Sequence, residues 1–176
     1  MSKNSIYVNE DSLEGILNVQ LSTPLKVKGL ESQDDVISFS ISTMVMGLSN
    51  LVGVLSLNHL AKQEIDIKDV KKILSKFTKS LFYLCNAFNY DLPPLSEHDD
   101  FVNSIPVEIS MSRALTCMDM MRAITDISYF VYVTHPGAIW AEAELPELFD
   151  TYLITLLWGV KNLSESFNIK ISDLAI

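Results

Sequence analysis

Residues 36–61 read VISFSISTMVMGLSNLVGVLSLNHLA and contain no Asp, Glu, Lys or Arg. Ile37, Ile41, Met44, Val45, Leu48, Leu51, Val52 and Leu55 recur at the three-and-four spacing of one helical face. The stretch therefore predicts a helix from Val36 to Ala61. It is long enough to cross a bilayer, but Ser38, Ser40, Ser42, Thr43, Ser49, Asn50, Ser56, Asn58 and His59 would each carry a transfer cost in lipid. A buried helix of a soluble core, with no membrane partner, is the expectation. Ser42, Ser49, Gly53 and Ser56 make a stripe of small side chains along it, which would let a second helix approach closely. His59 is expected to interact with the last carbonyls of the helix.

Working outward, Asp66 and Asp69 open a second helix, in which Val70, Ile73, Leu74, Phe77, Leu81, Leu84, Cys85 and Phe88 share one face and Lys71, Lys72, Lys76 and Lys79 lie off it. The breaker-rich run Tyr90 to Asp100, with Pro93 and Pro94, forms the long link at the middle of the chain. A third, methionine-rich helix (Met111, Met118, Met120, Met121) runs from about Pro106 to Val133 and stops before His135-Pro136-Gly137. A fourth follows Leu145-Pro146 and continues to about Phe167, with Pro at its first turn. The fold class expected is all-α: a four-helix bundle of two hairpins, residues 36–90 and 106–168, in a domain spanning 36–176. An irregular N-terminal arm, residues 1–35, precedes it, with a short helical pattern from Ser12 to Gln20 and an extended piece from Pro24 to Gly29. Phe88-Asn89 and Phe167-Asn168, with Leu84 and Leu163 before them, repeat at an offset of 79, so the hairpins read as an internal duplication.

The 176 residues carry 13 Lys+Arg against 22 Asp+Glu, a net charge of −9, at a mean hydropathy of +0.24. That hydropathy excludes a disordered acidic tail, and the negative charge argues against direct nucleic-acid binding, which needs a basic surface. The charge is uneven. Residues 62–79 sum to +3 and residues 80–160 to −9. Such asymmetry favours complementary packing onto a partner, although exposed lysines are equally served by water. Two cysteines, Cys85 and Cys117, are too few for a disulfide scaffold or a zinc site and lie in apolar helical stretches, where core packing is the ordinary role. With no basic-then-apolar leader at Met1, a reduced, cytoplasmic setting is expected.

The segment from Tyr152 to Leu174 resembles the last helix and exit of the MazG-like, all-α NTP pyrophosphohydrolases. Leu156, Leu157, Trp158, Leu163, Phe167, Asn168, Ile169, Ile171 and Leu174 match the apolar skeleton, and residues 77–95 echo it, so about forty residues are covered. The resemblance implies a scaffold whose chemistry comes from four carboxylates on facing helices. These hold Mg²⁺, which neutralises phosphate charge and activates water. In this chain the family's Asp falls at Thr155 and at Lys76, and its Glu at Tyr152 and at Ile73, none of them acidic.

A displaced set offers itself instead: Glu147 and Asp150 early in the fourth helix, with Asp119 and Asp126 seven apart on one face of the third. The same residues also have ordinary uses. Glu147 and Asp150 suit a helix N-terminus, and Asp119, Arg122 and Asp126 are spaced for a salt ladder. His98-Asp99 has the letters of an HD-type phosphohydrolase pair but sits in a polar, Pro-rich loop, and His135 before Pro136 is a turn residue. No glycine-rich phosphate loop or nucleophile elbow occurs. Trp140, in an acidic connector, either folds back or anchors a partner.

The expectation for function is a MazG-like scaffold without the usual metal carboxylates. It would act by binding a protein partner or a nucleotide through Lys71, Lys72, Lys76, Lys79 and Trp140, as a homodimer and without a cofactor. The alternatives are a divergent pyrophosphohydrolase, with Mg²⁺ on Asp119, Asp126, Glu147 and Asp150, and an acidic inhibitor that mimics nucleic acid.

Overall fold

A computed structural model of the chain describes residues 27–90, 109–134 and 148–174. The described residues form four α-helices: α1 (Gln33–Ala61), α2 (Ile67–Ala87), α3 (Ile109–Tyr129) and α4 (Leu148–Ser166). A π-helical turn, Phe130–Thr134, extends α3, and a 3₁₀ turn, Ile171–Asp173, follows α4. No strand occurs among the described residues, and the all-α bundle of two hairpins is the observed architecture. The N-terminal helical pattern from Ser12 to Gln20 and most of the central link lie outside the described residues.

Helix α1 begins three residues earlier than its charge-free run. Ser32 and Asp35 form a capping box, in which the Ser32 hydroxyl accepts from the Asp35 N–H at 3.1 Å and the Asp35 carboxylate accepts from the Ser32 N–H at 3.4 Å. Asp34 and Asp35 thus belong to the first turn, where the helix dipole favours them, and not to the arm. At the other end His59 is exposed, and Asn58 closes the helix by donating to the Gln63 carbonyl at 2.7 Å. Asp66 caps α2 as its position promised, its side chain accepting from the Lys68 N–H at 2.8 Å.

Each helix packs on two others: α1 on α2 and α3, and α4 on α3 and α2. Every neighbouring pair is antiparallel. The Gln33 amide at the start of α1 donates to the Ala87 carbonyl at the end of α2, and Ser38 shares a hydrogen bond with Tyr132 at the end of α3. Arg113 at the start of α3 donates to the hydroxyl and the carbonyl of Ser166 at the end of α4, a carbonyl that the helix leaves open, and stacks 3.8 Å from the Phe167 ring. Phe149, at the start of α4, gathers Phe88, Tyr90 and Phe130 edge-on or tilted around its ring at 4.9–6.3 Å. Consequently α2 ends at one pole of the bundle and α3 begins at the other.

The hairpins face each other with each helix against its counterpart, α1 on α3 and α2 on α4. Between α3 and α4 the approach is set at Gly159, where an added Cβ would overlap Met120 Cγ and Sδ. The duplicated Phe-Asn exits are one device used twice. Asn89 and Asn168 have φ of 52° and 54°, Tyr90 N–H bonds the Cys85 carbonyl at 2.9 Å, and Ile169 N–H bonds the Ser164 carbonyl at 2.8 Å. This left-handed closure suits Asn because its short polar side chain tolerates positive φ. Replacing either Asn by Ala should destabilise the protein by about 1 kcal/mol, whereas Gly should be neutral or stabilising. Urea midpoints of the four variants check this, and equal losses with Ala and Gly would refute a backbone cause.

Candidate functional site

The strict amphipathicity of α2 makes the site. Val70, Leu74, Phe77, Leu81, Leu84 and Cys85 are buried, which turns the lysines of the same helix toward solvent. Lys68, Lys71, Lys72, Ser75, Lys76 and Lys79 line an open groove of about 480 Å³. Lys71 Nζ lies 3.8 Å from the Asp173 carboxylate beyond α4, and Lys79 Nζ lies 6.0 Å from the centre of the Tyr83 ring. The ion pairs among the described residues are Lys71–Asp173 and Lys161–Glu165, so Lys68, Lys72 and Lys76 take part in none. Lysines four apart on one helix repel by about 0.2–0.5 kcal/mol per pair, and an anion in the groove relieves that repulsion. Lys68 and Ser75 were missed by the sequence reading. The four-residue step back from Lys72 was the available signal for Lys68.

The carboxylate set divides. Asp119 is exposed and Asp126 half-buried on α3, and seven residues separate them by about 10 Å along the axis. The contacts of Arg113 with Ser166, Met120 with Gly159 and Phe130 with Phe149 set Asp126 level with Leu153 and Asp119 level with Val160. Asp150, in the first turn of α4, is thus near the level of Asp126 but about 15 Å along the axis from Asp119. Asp126 is thus the one of the two that stands near the first turn of α4. Among the described residues no three His, Cys, Asp or Glu side chains gather closely enough to hold a metal. Glu147, Trp140, His135 and the His98-Asp99 pair lie outside the described residues.

The expected ladder of Asp119, Arg122 and Asp126 does not form; Arg122 is exposed and neither acid reaches it within 4 Å. Solvated charges of this kind gain little by pairing. Thr155 is half-buried and donates its hydroxyl to the Thr151 carbonyl at 2.7 Å. Both cysteines are buried and free. Burial pushes the Cys85 thiol far up and the Cys117 thiol to about 11. Met120 is fully buried while Met118 is exposed, so the methionines of α3 divide between core and surface.

Compared with protein-family models, with curated proteins and with solved structures, the chain matches none.

The raised Cys117 thiol has a signed consequence. Between its ordinary value of 9.0 and about 11 the unfolded chain loses the proton and the folded chain keeps it. Stability from this group is therefore complete below pH 9 and falls as pH rises toward 11. The stability advantage of the wild type over Cys117→Ala should shrink by about 1 kcal/mol from pH 8 to pH 10 in urea titrations. An unchanged difference would contradict the burial of the thiol.

Proposed function

We propose that this chain is a non-catalytic helical binding module, a MazG-like scaffold without the metal carboxylates, and that the lysine face of α2 docks an acidic segment of a protein partner. The observation that carries this reading is the groove in which Lys68, Lys72 and Lys76 form no ion pair among the described residues. From Lys68 to Lys79 the cations run about 16 Å along the helix. A line of that length suits carboxylates spaced along a peptide better than the compact charge of one triphosphate. Among the described residues, those that line the groove include no aromatic ring on which a base would stack. The net charge of −9 would oppose a loosely charged anion elsewhere on the surface and leave this stripe as the attractive one.

The test is fluorescence anisotropy of a labelled oligoglutamate peptide at low salt, with ATP as competitor. The peptide should bind, weaken steeply with added salt, and lose more than about tenfold in affinity with Lys72→Glu/Lys76→Glu, the helix content being unchanged. Tighter binding of ATP than of the peptide would replace the protein partner by a nucleotide. Pyrophosphate release from nucleoside triphosphates with Mg²⁺, lost in Asp126→Ala, would overturn the non-catalytic reading altogether.

A further inference from the structure

The back of α1 carries a second surface, independent of the lysine face. Phe39, Ser42, Met46, Ser49, Gly53 and Ser56 follow one another at alternating steps of three and four residues, and all six are exposed. Leu60 continues the row at 80% exposure, and Met46 stands at 65%. This row lies opposite the face that buries Ile37, Met44, Leu48 and Leu51 in the bundle. Only 28% of the most apolar 18-residue stretch of α1 is buried, and a Cβ added at Gly53 would meet nothing within 4 Å. The small-residue stripe legible in the sequence therefore faces away from every described helix of its own chain.

We propose that the back of α1 is the interface of a homodimer, in which two copies of α1 pack antiparallel about a two-fold axis between residues 47 and 48. The alternating spacing averages 3.5 residues, the period at which two helices keep one seam in contact. In the antiparallel pair Phe39 of one copy falls opposite Ser56 of the other, Met46 opposite Ser49, and Ser42 opposite Gly53. Large side chains meet small ones at the first two levels, and at the third two small residues let the backbones approach. A parallel pair would instead set Phe39 on Phe39 and Gly53 on Gly53, a collision followed by a gap. The pairing is isologous, so one surface suffices for closure.

Charge favours the same occupant. Two copies of a chain at −9 repel, and residues 36–61 are the longest run without a charged side chain, so they offer the approach with least repulsion. Half the surface of a helix 10–12 Å across, over the roughly 32 Å from Phe39 to Leu60, is about 550 Å² per copy. The pair then buries about 1,100 Å², near the lower bound for a specific interface, so association should depend on concentration in the micromolar range.

Sedimentation velocity from about 1 to 200 µM should show a monomer giving way to a dimer. Ser49→Glu, at a position exposed in the monomer, should keep its helix content and raise the dissociation constant more than about tenfold. Mixing Met46→Cys chains with Ser49→Cys chains should yield a mixed disulfide faster than either variant alone, because Cys85 and Cys117 are buried and do not compete. Three results would overturn the proposal: a monomer at every concentration, a dimer indifferent to Ser49→Glu, or fastest linkage of Ser49→Cys with itself. A chain that stays monomeric but co-sediments with neutral phosphatidylcholine vesicles would assign the face to lipid.

Discussion

A helix of 29 residues, 26 of them in a run without charge, has to be sheltered, and the rest of the bundle is arranged to do so along one side. Ile37, Met44, Leu48 and Leu51 enter the core completely, against Leu74, Phe77 and Leu81 and the apolar faces of the second hairpin. Burying such side chains contributes about 1.5–3 kcal/mol each, as an upper bound that assumes an extended unfolded chain. Among the described residues nothing comparable covers the opposite side. The strain between a helix apolar nearly all round and a bundle that takes only half of it is what distinguishes this chain from an ordinary four-helix domain.

The remaining structure closes the poles and divides the polar work. Phe149 and its three aromatic neighbours seal one end, where α2 and α3 finish and α4 starts. Arg113 on Ser166 and Lys71 on Asp173 tie the other. Because α2 gives its apolar face to the core, its lysines are left in a row, and because α1 carries no charge beyond its first turn, the two helices of one hairpin present opposite kinds of surface. A cationic groove and an uncharged outer face on adjacent helices are what the two proposed contacts, with an acidic partner and with a second copy, would each use.

The sequence was most informative where its period was strict. The buried face of α2 and its Asp66 cap followed directly from spacing, since polar and apolar residues separate cleanly there. In α1 the inner face was readable, but the outer one was not, because a run apolar and small on every side does not say which half meets the core. Ser32 and Asp35 were assigned to the arm, since acids before an apolar run look like its boundary when they are its first turn. The Phe-Asn repeat was visible as letters, but only the positive φ of Asn89 and Asn168 shows why Asn stands there. Asp119 and Asp126 lie about two turns apart along α3. Their separation from Asp150 depended on the α3–α4 register, fixed by the contact of Gly159 with Met120, and no local pattern encodes that.

The most direct test of this account is a cysteine scan of α1 in dilute protein, measuring the rate of thiol modification at one position at a time. The arrangement predicts fast reaction at 39, 42, 46, 49 and 53 and strong protection at 37, 41, 44, 48 and 51. The opposite phase, or equal protection on both sides of the helix, would contradict it.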